Sequence, residues 1–184
     1  QDKVLEQINS HFSGLQKNIK GLKPKVIETQ EKPKELVKFK ESDQTHLVMG
    51  FRAFDIFDER KYALQVLTDI LGGGMSSRLF QKVREELGAA YYVNASADLY
   101  SDHGLILMSA GVDHKQVETV IKSSLEEFAR FKNEKVGAEE LQRAKDHLIG
   151  RLFLSIETSD EIGYFYGGQE VMGLALETPQ AAAE

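Results

Sequence analysis

Residues 71–93 read LGGGMSSRLFQKVREELGAAYYV. Glycines at 72–74 end one helix and turn the chain toward a second, shorter one. Ser76 or Ser77 can cap that second helix, expected over 78–87, and Gly88 ends it. A β-rich segment follows at 89–99. The stretch sets Arg84 and Tyr91 seven residues apart, on either side of a helix stop.

The pattern extends in both directions. Upstream, residues 59–71 carry Tyr62, Ala63, Val66, Leu67, Ile70 and Leu71 on a wide apolar face, with Lys61, Gln65, Thr68 and Asp69 outside it. Asp58 can cap this helix. Before it, 35–40 alternates and 45–54, THLVMGFRAF, is apolar and β-rich, so the two are expected as a hairpin joined by polar residues 41–44. Downstream, a turn at 101–104 leads to GLILMSAGV at 104–112, a second hairpin. Asp113 with Gln116 opens a helix over 115–131, with Val117, Val120, Ile121, Leu125 and Phe128 inward. A helix over 138–153 follows, with Leu141, Ala144, Leu148 and Leu152 on one face. Thr158 with Glu161 forms a capping box for a last helix to about residue 172.

The order β-β-α-α-β-β-α-α-α predicts an α+β fold, a mixed or antiparallel sheet with helices packed on one face. Residues 2–12 read as a short amphipathic helix with Val4, Leu5, Ile8 and Phe12 on one side. Residues 13–34 hold Gly14, Gly21, Pro24, Pro33 and many lysines, a linker composition. One unit therefore ends at 1–12, 13–34 is the linker, and a new domain spans 35–184.

The chain has 184 residues, 41% hydrophobic and 28% charged, enough for one domain with a real core. A net charge of −6 without any basic run argues against nucleic-acid binding. No apolar stretch approaches the roughly 18 residues of a membrane span. Zero cysteines excludes disulfides and thiolate metal sites, and suits a cytoplasm or a periplasm equally.

Five histidines, His11, His46, His103, His114 and His147, invite a metal reading. None lies three to five residues from another, and neither H-E-x-x-H nor H-x-x-E-H occurs, so no metal ligand is assigned here. His147 has Arg143 and Arg151 one turn to either side, which suits no cation site. The glycine loop follows a helix and lacks the lysine of a phosphate loop. It reads as a helix-to-helix corner whose bare backbone can also approach an extended peptide, making Gly72, Gly73, Gly74, Ser76 and Ser77 candidate substrate contacts. At α-helical spacing Arg84 borders the arc formed by Leu79, Phe80, Val83 and Leu87, so its stem packs while its guanidinium projects. With Tyr91 it offers a donor fork and a phenolic hydroxyl, able to hold a peptide carbonyl or the oxyanion formed from it. The same spacing also suits an arginine paired with Glu85 or Glu86 and a core tyrosine.

Four pieces of this chain resemble the pitrilysin/insulinase family of zinc peptidases, which includes the processing peptidases. They are LTDILGGGMSSRLFQKVREELGAAYYV, the two following strands with SAGV at 109–112, the helix over 117–131, and AEELQRAKDHLIGRLFL at 138–154. The resemblance covers about residues 35–175 and is most specific in the first piece. It implies an enzyme built from two homologous halves that close around a chamber. One half holds zinc through H-x-x-E-H. The other lacks zinc and supplies an arginine and a tyrosine to the substrate backbone. This chain is similar to the second, non-zinc half, and Arg84 and Tyr91 stand where that pair belongs. Residues 1–12 would then be the tail of the preceding domain. The family domain runs further than residue 184, so a truncated domain with an incomplete sheet edge is expected.

The expected function is therefore the non-zinc half of a zinc metalloendopeptidase. It binds extended peptide beside a zinc-bearing half in the same polypeptide or in a partner subunit, and a dimer is compatible. Alone, the chain is expected to bind no zinc and cleave nothing. The alternative is a non-catalytic structural or peptide-binding homologue of the same fold, like the core subunits of respiratory complex III.

Overall fold

A computed structural model describes residues 2–15 and 24–184. The chain divides into two compact units, Gln1–Gln30 and Glu31–Glu184.

The first unit contains helix α1, Asp2–Phe12, at its expected position. Its apolar residues Val4, Leu5, Ile8 and Phe12 are all exposed. Of the linker expected over 13–34, residues 16–23 lie outside the described residues, and 24–34 has no helix or strand.

The second unit is built on an antiparallel sheet of β1 (Thr45–Ala53), β2 (Ala90–Leu99) and β3 (Gly104–Val112), in the order β1-β3-β2. It is α+β, as expected. Helix α2 (Lys61–Gly72) and a π-helix (Phe80–Glu86) lie between β1 and β2. After β3 come a 3-10 turn (His114–Gln116), α3 (Val117–Asn133), α4 (Ala138–Leu154), α5 (Ser159–Met172) and α6 (Pro179–Ala183). The hairpin expected from 89–112 is present, with β2 and β3 paired from Leu99↔Gly104 to Ala90↔Val112.

The first expected hairpin is absent. Residues 35–40 form no strand, and Leu36, Val37 and Phe39 are almost fully exposed. Alternation yields a strand only where a neighbour offers backbone groups. The connection at 41–44 runs along the end of β3 instead of folding back. His114 Nδ1 lies 2.7 Å from Thr45 Oγ1, and its Nε2 lies 2.9 Å from the Ser42 carbonyl. β1 pairs with β3 across the intervening elements, so the element order loses its first strand.

One face of the sheet is the core. Leu47, Met49 and Phe51 of β1 share it with Met108, Ala110 and Val112 of β3 and with Val93 and Ala95 of β2. Leu71, Leu79, Val83 and Val120 pack onto them with no exposed surface. Each such side chain contributes about 1.5–3 kcal/mol of burial. On the opposite face, His46, Gly111 and Tyr92 lie in one row, followed by Val48, Ser109 and Asn94.

Several expected helix faces shift. On α2, Tyr62 and Ala63 are exposed while Thr68 and Asp69 are buried. This helix is covered from two sides, by β2 and by α4, so its buried arc rotates toward both. On α3, Leu125 is exposed, and Ser123, Ser124 and Glu127 are buried. The capping box of α5 is present as expected, with both the Thr158 side-chain and Glu161 side-chain bonds formed.

Candidate functional site

The segment after α2 holds a glycine corner and a π-helix before β2 begins. Asp58 does not cap α2 directly. It accepts from the Arg60 backbone N–H at 2.9 Å and forks onto the Arg60 guanidinium, which lowers its pKa to about 2. The helix ends at Gly72, where a side chain would overlap the backbone of Ala95 on β2. At Gly73 a Cβ would overlap the Asp69 carboxylate. At Gly74 it would stand 3.3 Å from His147 Cε1. The three glycines thus let the corner close against β2, Asp69 and His147. Ser77 is buried, and its hydroxyl donates to the Gly74 carbonyl at 2.6 Å instead of capping the next helix. Met75 and Ser76 are exposed.

The helix that follows is wider than an α-helix. Residues 80–86 have π-type geometry. At its end the Leu87 N–H donates to the Lys82 carbonyl at 3.1 Å, and the Ala89 N–H to the Val83 carbonyl at 3.0 Å. The α-helical arc expected for 79–87 is therefore corrected. Leu79 and Val83 are fully buried, but Leu87 turns outward. Gly88, at φ +57°, reverses the chain in the left-handed region. Arg84 is exposed and places its guanidinium carbon 5.0 Å from the centre of the Phe80 ring. Glu86 pairs with Lys82 at 2.6 Å.

Tyr91 sits at a second irregularity. Ala90 is opposite Val112 and Tyr92 is opposite Gly111, so β2 carries one extra residue, Tyr91. Its side chain is 65% exposed, which is not a core position. Arg84 and Tyr91 thus occupy two packed elements, the π-helix and β2, each irregular where it carries the residue. Backbone irregularities of both kinds are enriched at functional sites.

Beneath the glycine corner lies a pairing that no local pattern announces. His147 Nδ1 is 2.9 Å and 3.0 Å from the two carboxylate oxygens of Asp69, joining α4 to α2. Alongside it, Arg78 donates from Nε and Nη2 to Glu140 of α4, at 2.7 Å each, and lies over Phe131. The Arg78 guanidinium holds the Glu140 carboxyl below its ordinary pKa. Asp69 and His147 are 78 residues apart, and only a map of which helices touch would have found them.

Histidine placement gives no metal site. His46 lies near Tyr92, His103 near Asp102, His114 near Thr45, and His147 near Asp69. Among the described residues, no group of three or more His, Asp or Glu side chains is placed to hold a metal. The donors among the described residues do not fit zinc. No described helix is long and apolar enough to cross a membrane.

The family described as peptidase M16 inactive domain matches residues 1–148 of the chain. The chain belongs to this family. This M16 inactive domain is 37% identical over 161 residues to a Bacillus subtilis protein named uncharacterized zinc protease YmxG, covering 86% of this chain and 38% of that one. It is 41% identical over 132 residues to an uncharacterized zinc protease of Rickettsia felis, covering 69% of this chain and 32% of that one. It therefore spans well under half the length of these relatives. Among solved structures, a peptidase M16 inactive domain from Pseudomonas fluorescens superposes with a TM-score of 0.66 at 26% identity, over 73% of this chain and 32% of that one. A Helicobacter pylori protease reaches a TM-score of 0.78 at 19% identity, over 94% and 43%. A chain of complex III2 from Candida albicans reaches 0.68 at 16% identity, over 77% and 36%. The last two share the fold, and a fold alone does not carry an activity.

Proposed function

We propose that this M16 inactive domain is the substrate-orienting half of a zinc endopeptidase, with Arg84 and Tyr91 holding the carbonyl of the scissile peptide bond. The observation that carries the reading is the exposure of both residues on adjoining elements, each at a backbone irregularity. An arginine serving only structure would pair with a neighbouring acid, whereas Glu86 is held by Lys82. A tyrosine serving only the core would not be 65% exposed.

In this reading the Arg84 guanidinium supplies charged N–H donors and the Tyr91 phenol an O–H donor. Both bind the carbonyl oxygen weakly in the ground state and more strongly as it gains negative charge. The names of the relatives support zinc in the complete protein. In this reading zinc is held by a homologous half, in the same polypeptide or in a partner subunit. The domain's own work is binding, orientation and charge stabilisation. In the same reading 1–12 is the tail of the preceding domain, 13–34 the linker, and 35–184 the peptide-binding unit. The exposed Met75 and Ser76 of the glycine corner contact the peptide, backed by Gly72–Gly74 and Ser77.

The test uses the full-length parent protein with an internally quenched peptide library. Arg84→Ala and Tyr91→Phe should each lower kcat/KM by about 10²-fold, the scale of one lost oxyanion donor. Unchanged kcat/KM in both variants would exclude this role and leave the non-catalytic reading of the shared fold.

A further inference from the structure

The bulge that carries Tyr91 sits between two anchors. Above it, the Ala89 N–H is bonded to the Val83 carbonyl, Ala89 is buried, and Ala90 is opposite Val112. Below it lies Tyr92, in the row His46–Gly111–Tyr92 that crosses all three strands on the face away from the core. The Tyr92 ring lies directly over Gly111. A Cβ there would come within 2.5 Å of ring carbon Cε1 and 2.9 Å of Cδ1. The ring spans β3 and brings its hydroxyl to 3.1 Å from His46 Nδ1 on β1. The two rings lie 6.3 Å apart, tilted by 31°. One side chain on β2 is thus fastened to the far strand of the sheet, across a position where only glycine leaves room.

We infer that Tyr92 is a positioning residue for Tyr91, its ring seated on Gly111 and its hydroxyl tied to His46 so as to pin the bulge that turns Tyr91 out of the sheet. The inference rests on the reading of Tyr91 as a carbonyl donor. A bulge inserts a residue with no partner of its own, so its side chain is aimed only by the residues on either side. Among the described residues β2 stands at the edge of the sheet, paired only with β3. Below Tyr92 the strand is fixed by Val93 against Ala110 and Ala95 against Met108, because a one-residue slip would expose both. Tyr92 carries that fixed register up to the edge of the bulge. Without its ring over Gly111, Tyr92, the first paired residue after the bulge, would be held by backbone bonds alone.

The experiment compares Tyr91→Phe, Tyr92→Phe, Tyr92→Leu, Gly111→Ala and the Tyr91→Phe/Tyr92→Leu double variant in the full-length parent protein. Tyr92→Leu and Gly111→Ala should lower kcat about tenfold or more with KM within about threefold, since a donor displaced by an ångström is lost mainly from the transition state. Tyr92→Phe, which keeps the ring on Gly111 but loses the tie to His46, should fall between wild type and Tyr92→Leu. The double variant should be no worse than Tyr91→Phe alone, because Tyr92 acts through Tyr91. Full activity in Tyr92→Leu, or additive losses in the double variant, would overturn the inference while leaving the functional reading intact. A silent Tyr91→Phe would instead remove the functional reading. The pin then has its own readout, nitration of Tyr91 by tetranitromethane mapped by mass spectrometry. Its rate should change severalfold in Tyr92→Leu and Gly111→Ala, and an unchanged rate would overturn the pin.

Discussion

His147 Nδ1 stands 2.9 Å and 3.0 Å from the two carboxylate oxygens of Asp69, on a side chain that is only 6% exposed. Burying a polar group costs free energy unless hydrogen bonds replace the water it has lost. Replacing His147 by alanine leaves that carboxylate short of its partner, beneath a corner where the Asp69 carboxylate already fills the space beside Gly73. His147→Ala should destabilise the chain by about 1–3 kcal/mol in urea unfolding. Asp69→Asn combined with His147→Ala should cost less than the sum of the two, because they share one interaction. Additive losses would show that the pair is not coupled.

The second link between the corner and α4 is the Arg78–Glu140 fork, and it predicts a pH dependence. The Arg78 guanidinium depresses the Glu140 carboxyl below its ordinary value, chiefly by hydrogen bonding. A carboxyl whose pKa is lower in the folded state adds stability above its unfolded pKa, about 4.3, and loses it as pH falls through the folded value. Glu140→Gln should therefore destabilise the chain at neutral pH, while wild type and variant converge in stability as the pH drops below about 4. A difference that stays constant down to acid pH would exclude the ion pair as its source.

These two links mark where sequence reading stops. The strands at 45–53, 90–99 and 104–112 were legible because each alternates or runs apolar between turn residues, and the α5 capping box because its chemistry is local. The strand expected at 35–40 failed because its alternation carries no information about a partner, and His114 holds residues 42 and 45 elsewhere. The helix after the glycines was legible as a helix but not as a π-helix, so Leu87 was expected inside and lies outside. The wide apolar face of α2 leaves Asp69 on its solvent side, whereas β2 and α4 together cover the helix further round. Arg84 and Tyr91 could be singled out by spacing and resemblance. The bulge that exposes Tyr91, and the Gly111 seat beside it, exist only in the pairing of β2 with β3.

On the alkaline side, Tyr62 of α2 donates to Glu177 Oε2 at 2.6 Å, and this bond raises its pKa to about 12. A phenol whose pKa rises on folding contributes stability that is complete below its unfolded value near 10 and is lost as pH climbs through the folded value. The ionisation of Tyr62 should appear as a late phase of an ultraviolet titration, near pH 12. Glu177→Gln should bring that late phase back toward pH 10. If the late phase persists in Glu177→Gln, another tyrosine is its source.

The glycine corner separates structural demand from substrate contact. At Gly72 an added methyl would overlap the backbone nitrogen of Ala95, and a strand backbone at the centre of the sheet's packing against α2 has no easy way to yield. Gly72→Ala should therefore cost about 1–3 kcal/mol or more, the scale of an overpacked core. At Gly74 the methyl would meet His147 Cε1 at 3.3 Å, the edge of a side chain that can shift by a few tenths of an ångström. Gly74→Ala should be nearly neutral in stability. Its backbone lies next to the exposed Met75 and Ser76, so a peptide running along the corner would meet the new methyl group. In the full-length protein Gly74→Ala should then raise KM for extended peptides severalfold with kcat little changed, the pattern of a lost ground-state contact. A Gly74→Ala protein that is stable and has an unaltered KM would restrict the corner to its structural task, closing α2 against β2 and α4.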